Sequence, residues 1–205
     1  MKKRTESRHL DILLKRIMRL GYDIPSDITE SERPDFVITL AGQRIGIEVT
    51  VSMYQEYARA LKLHYERCPN VCIVTTNLQD LDTRRSNDEL LADMLNLNSN
   101  WKDSEQDMHH WRDKIASTLE RKRAKLAKPG FQLFDQNWLL IHDEPGLAND
   151  TFTHDRACRH VEALFSVPYA GTRDFDTVFL FSDRYLFRWH QQQITLNYST
   201  DNGKQ

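Results

Sequence analysis

Two acids stand in apolar company near the N-terminus. Asp35 opens the segment Pro34-Asp35-Phe36-Val37-Ile38, and Glu48 lies inside Gly46-Ile47-Glu48-Val49-Thr50. A carboxylate buried in such a strand is costly unless a positive group neutralises it. From Arg44 to Ser52 the alternation is strict. Ile45, Ile47, Val49 and Val51 take one face, and Arg44, Gly46, Glu48, Thr50 and Ser52 take the other. Two acids brought together across a hairpin form a hard-oxygen site suited to a divalent cation such as magnesium.

A positive partner is available further along. In the segment Glu105 to Ala127, Ile115, Leu119 and Leu126 recur at helical spacing, and Lys122 shares their stripe. A lysine among core-facing positions either packs its stem and snorkels to water or brings its ammonium to the acids of the sheet. Lys125 and Lys114 are the fallback candidates. Glu6 falls on the line Glu6, Leu10, Leu13, Ile17, so its carboxylate can face the sheet, although an acid in a first helical turn is also favoured by the helix dipole.

The elements that must position these residues follow from periodicity and punctuation. Glu6 to Leu20 reads as a helix ended by Gly21. Tyr22 to Glu32 is irregular, with room for one short strand. The hairpin runs Asp35 to Leu40, a turn at Ala41-Gly42-Gln43, then Arg44 to Val51. Tyr54 to Arg67 is a helix and Val71 to Thr76 a short strand. Residues 77–102, rich in Asn, Asp and Ser, read as a loop-and-helix insertion. The long helix is stopped by Pro129-Gly130. Asn137 to His142 is a buried strand, His154 to Phe165 a helix, and Asp176 to Phe181, Tyr185 to Trp189 and Gln193 to Tyr198 are strands. The order predicts one α/β domain over residues 1–205, with helices packed on a mixed central sheet.

Composition bounds the rest. A chain of 205 residues that is 40% hydrophobic can bury a real core. No apolar run approaches the ~20 residues of a membrane span, which argues against a membrane partner. Cys68, Cys72 and Cys158 make no disulfide framework, so a cytoplasmic setting is expected. Net charge is −2, yet Arg112, Lys114, Arg121, Lys122, Arg123, Lys125 and Lys128 crowd one segment against Asp113 and Glu120. Such a stripe suits phosphates, or is a solvated helix face. His154, Cys158 and His160, like His109 and His110, lack the paired ligand spacing of structural zinc and read as ordinary helix residues. No glycine-rich phosphate loop and no serine nucleophile elbow is present. Phe179, Phe181, Tyr185, Phe187 and Trp189 read as core or as a packing surface for a homodimer.

Pro34-Asp35, with Glu48-Val49-Thr50 following thirteen residues after the Asp, resembles the PD-(D/E)xK nuclease superfamily. The resemblance covers roughly residues 5–143. It implies a restriction-endonuclease-like fold, a magnesium (or manganese) cofactor held by Asp35 and Glu48, DNA as substrate, and a helical acid matched by Glu6. The family's lysine two residues after the Glu is replaced here by Thr50. The family is known to move that lysine to the following helix, which Lys122 would satisfy. The Glu-Val-Thr form is similar to small bacterial and phage proteins of the superfamily that keep a Lys-rich helix and a Trp-Leu-Leu strand, here Lys122 to Lys125 and Trp138 to Leu140. The expectation is a metal-dependent phosphodiester hydrolase. Its rivals are a catalytically inactive relative that binds nucleic acid or a protein, and an oligomeric scaffold built on the aromatic strands.

Overall fold

The computed structural model describes residues 2–19, 21–71, 85–96, 104–144, 154–166, 169–171, 173–182, 185–191 and 193–198. Over these the chain forms a mixed α/β fold in the order α1 (Lys2–Arg19), β1 (Asp27–Glu30), β2 (Phe36–Leu40), β3 (Gln43–Ser52), α2 (Gln55–Arg67), α3 (Asn87–Leu95), α4 (Ser104–Leu126), β4 (Gln136–Asp143), α5 (His154–Phe165), β5 (Thr177–Ser182), β6 (Tyr185–His190) and β7 (Gln193–Tyr198). The seven strands lie in one sheet in chain order. β1, β2 and β3 are antiparallel, β3, β4 and β5 are parallel, and β5, β6 and β7 are again antiparallel. Parallel neighbours need crossovers. Here α2, α3 and α4 carry the chain from β3 to β4, and α5 carries it from β4 to β5.

Both faces of the sheet are covered. On one, Leu10, Leu13, Leu14 and Ile17 of α1 pack on Phe36, Ile38, Ile45, Ile47, Val49, Leu140 and Phe179. On the other, Trp111, Ile115, Leu119 and Leu126 of α4 and Ala157 and Val161 of α5 meet Leu139, Ile141, Val178, Leu180 and Phe187. A third cluster, Tyr57, Ala60, Leu63, Leu90 and Met94, joins α2 to α3. The aromatic strands are absorbed by this packing. Phe179 lies under α1, Tyr185 and Phe187 face α4 and α5, and Trp189 stacks on Phe165 at 4.8 Å.

Several boundaries differ from the expected ones. α1 begins at Lys2, so Glu6 stands in its second turn, where the dipole effect has faded. Gly21 ends the helix as anticipated, at φ +85°, with the Tyr22 N–H donating to the Ile17 carbonyl at 3.1 Å. The hairpin turn is two residues, Ala41 and Gly42, both at positive φ, so Gln43 already pairs with Leu40. Within the expected insertion Ser86 and Glu89 form a capping box that starts α3. Residues 77–84 and 97–102 of that insertion lie outside the described residues, as do residues 72–76 of the strand expected after α2; Val71 itself is in no strand.

Candidate functional site

β2 and β3 run together from their turn as far as the pair Phe36 and Ile47, and beyond it β3 continues beside β4 to Ser52 and Asp143. Glu48 is the first residue past this fork. Asp35 immediately precedes β2, one step beyond the last registered pair, and so stands across from Glu48. Its Oδ2 accepts the Val49 N–H at 2.8 Å, satisfying a backbone donor on the edge that β2 has left. Gly46 helps to seat this segment. A Cβ there would fall 2.7 Å from Phe134 Cδ2 and 2.8 Å from Pro34 Cγ, so the missing side chain is what lets Pro34 lie on β3.

Glu48 is 1% exposed. Its Oε1 accepts from Lys122 Nζ at 2.7 Å and also from Lys125 Nζ. Lys122 Nζ further donates to the Val49 carbonyl at 3.3 Å. The helix delivers both ammoniums for a simple reason. Ile115, Leu119 and Leu126 fix its inward stripe, Lys122 lies on that stripe, and Lys125 follows one turn later. Glu48 Oε2 is buried without a hydrogen-bond partner. Asp35 has its pKa raised, first by burial and then by the Glu48 charge, with Glu6 adding to the rise; the Val49 N–H and Lys122 pull it down. The two carboxylates are therefore close enough to repel each other.

Two clefts meet at Glu6. One, of about 590 Å³, is lined by Thr5, Glu6, Val49, Thr50, Val51, Arg121, Lys122, Lys125 and Lys128. The other, of about 270 Å³, is lined by Glu6, Glu30, Ser31, Glu32, Arg33, Asp35 and Phe36. Thr50, which stands where the resemblance expects a lysine, is on the wall of the first cleft, and the ammoniums reach Glu48 from α4 instead.

The fold thus brings Asp35, Glu48, Lys122 and Lys125 to one place, with Glu6 on its rim. Lys114, the other fallback, goes elsewhere. Its ammonium donates to Asp143 Oδ1 at 2.5 Å, and Asp143 Oδ2 accepts from Trp111 Nε1 and from Ser182 Oγ, each at 2.6 Å. Nor is the basic stripe one solvated face. Arg123 turns to Asp174, bidentate at 2.6 and 2.8 Å, while Lys114 and Arg123 are both buried. Sequence reasoning passed over Asp143, although an acid closing the apolar run Trp138 to Ile141 signals a buried charge in want of a partner. It also passed over the stacking of His9 on His142, 4.0 Å between ring centroids, which joins residues 133 positions apart.

The donor set suits a hard cation: two converging carboxylates, one with an orphaned buried oxygen. Among the described residues no three His, Cys, Asp or Glu side chains come together. A divalent ion here would rest on Asp35 and Glu48 and complete its shell from water or substrate oxygens, as magnesium commonly does. Comparisons of the chain with protein-family models, with curated proteins and with solved structures found no match.

Proposed function

We propose that this protein is a metal-dependent phosphodiester hydrolase of the PD-(D/E)xK type that acts on DNA, with a restriction-endonuclease-like fold. One observation carries the reading. Lys122, 74 positions from Glu48 in sequence, places its ammonium 2.7 Å from that carboxylate, opposite Asp35, where β2 and β3 part. This supports the transfer of the missing motif lysine to the long helix.

In this reading Asp35 and Glu48 would hold magnesium or manganese, which would polarise a phosphoryl oxygen and lower the pKa of a bound water. Lys122 would orient the attacking water and meet the negative charge that builds on the phosphorane. Lys125 holds the shared Glu48 oxygen, which keeps Oε2 turned away from the ammoniums. Arg121 and Lys128, on the cleft wall, hold the substrate's neighbouring phosphates.

The test is cleavage of linear DNA with and without added magnesium or manganese. Wild-type protein is expected to cut only with the metal. Asp35→Asn and Glu48→Gln are expected to lose at least about 10²-fold in rate, and Lys122→Ala about 10²–10³-fold, while all three remain folded. Undiminished cleavage by Glu48→Gln would refute the assignment.

A second reading has one observation in its favour. Two lysines already neutralise Glu48, so the charge can be balanced without a metal. The protein would then bind DNA or a protein without cutting. Salt-sensitive DNA binding that magnesium neither stimulates nor converts to cleavage would select it.

A further inference from the structure

The two clefts that share Glu6 differ in sign. Along the larger one Arg121, Lys122, Lys125 and Lys128 stand against the single acid Glu6. Along the smaller one Glu6, Glu30, Glu32 and Asp35 stand against the single base Arg33. Glu48, buried with one oxygen unpartnered, lies where the fork of β2 and β3 brings these walls together. A polyanion is drawn along the first wall and repelled by the second. The first carries a row of cations as well. Arg121 and Lys125 stand one turn apart on α4, about 6 Å along its axis, and Lys128 follows just past the helix end at Leu126.

We infer that the site engages the end of a DNA strand. Phosphates enter over Arg121, Lys125 and Lys128, the terminal phosphodiester reaches Asp35 and Glu48, and the acidic wall leaves no favourable seat for a further phosphate. A strand running through the site would have to lay its backbone against Glu30 and Glu32, both exposed and flanking Ser31 on the wall of the smaller cleft. The chemistry balances as a plain hydrolysis. A water oxygen forms the new bond to phosphorus, the phosphorus–oxygen bond to the sugar breaks, and the leaving oxygen takes a proton. The short anionic product is released on the side that repels it. This mode rests on the hydrolase reading for its chemistry, but its strand path does not.

The test compares a linear oligonucleotide with the same oligonucleotide ligated into a circle. Binding is measured by fluorescence anisotropy in EDTA, and cleavage with magnesium. The linear form is expected to bind about tenfold or more tightly and to be shortened from one end, while the circle resists. Glu30→Lys/Glu32→Lys should let the circle bind and be cut nearly as well; Glu30→Gln/Glu32→Gln is the milder version. Arg121→Glu/Lys128→Glu should weaken both forms and lower the salt slope of binding by about 1.4, the value for two lost phosphate contacts on a single strand. Equal binding of the two forms, or nicking of the circle at the linear rate, overturns the strand-end mode and leaves the hydrolase reading standing. Preference for the linear form with no cleavage of either keeps the strand path and removes the hydrolase. Binding of neither form overturns the inference.

Discussion

Asp35 holds its position at an electrostatic cost that pH can expose. Its carboxyl is held above the usual value by burial and by Glu48, so the folded chain takes up its proton more readily than the unfolded chain does. The contribution is favourable below the ordinary carboxylate range and is lost as pH rises through the raised folded value. Asp35→Asn keeps an oxygen for the Val49 N–H and removes the charge. The variant is expected to be more stable than wild type at neutral pH, with the gain shrinking under acid conditions; thermal melts across pH check this. A variant less stable at neutral pH would mean that the ionised carboxylate is tied down by more than Val49 and Lys122. If the proposed divalent ion binds at Asp35 it must compete there with protons, so on that proposal metal affinity should fall as pH falls.

At the scale of elements, the question is what sets the register of α4 on the sheet, since a slip of one residue turns Lys122 away by about 100°. Apolar contacts are non-directional and do this poorly. Polar contacts spaced along the helix do it well: Trp111 and Lys114 on Asp143, Thr118 on Ser52 at 3.1 Å, Lys122 on Glu48 and Arg123 on Asp174. Among the ion pairs of the described residues that of Lys114 and Asp143 is the most deeply buried, with side chains 4% and 0% exposed. Asp143→Ala strands an ammonium and two donors, and is expected to cost about 3–5 kcal/mol. Lys114→Met/Asp143→Asn leaves no buried charge and still accepts from Trp111 and Ser182, so it should cost markedly less than the sum of the single changes. Urea denaturation of the cycle measures the coupling. Additive losses would show that the pair does not act as a unit.

For the molecule as a whole, the docking of α1 decides both the second core face and the place of Glu6. That interface contains two imidazoles. His9 stacks on His142, which stacks in turn on Phe181 at 5.3 Å beneath the Arg16 guanidinium. Each His has an Nδ1 that is buried without a hydrogen-bond partner. Burial, then His9, then Arg8 push His142 down from 6.5 to about 4, and burial also lowers His9. A depressed His stabilises the fold above its unfolded value, and that stability drains away as pH falls from 6.5 towards 4. His142→Phe keeps an aromatic ring against Phe181 and is expected to flatten this acid limb while changing stability little near neutrality. Urea melts over that range test it, and an unchanged acid limb would assign the loss to other groups. No described helix is long and apolar enough to cross a membrane.

Local patterns in the chain determined most of the elements. Alternation in Arg44 to Ser52 put Glu48 on the face that α4 covers, and the 3.6-residue stripe through Ile115, Leu119 and Leu126 carried Lys122 inward with it. Gly21 and the Pro129-Gly130 pair stopped their helices where short-range backbone preferences require. These features were legible because each depends on neighbours a few residues away. What only the tertiary structure decided lies in contacts across the chain: which acid each lysine of α4 meets, that Lys114 serves Asp143 and not Glu48, that Lys125 shares Glu48 with Lys122, and that His9 finds His142. Two carboxylates and several lysines at helical spacing allow many pairings of similar local energy. The choice among them is made by the sheet order and by the slide and rotation of one helix on it, which no short stretch of sequence contains.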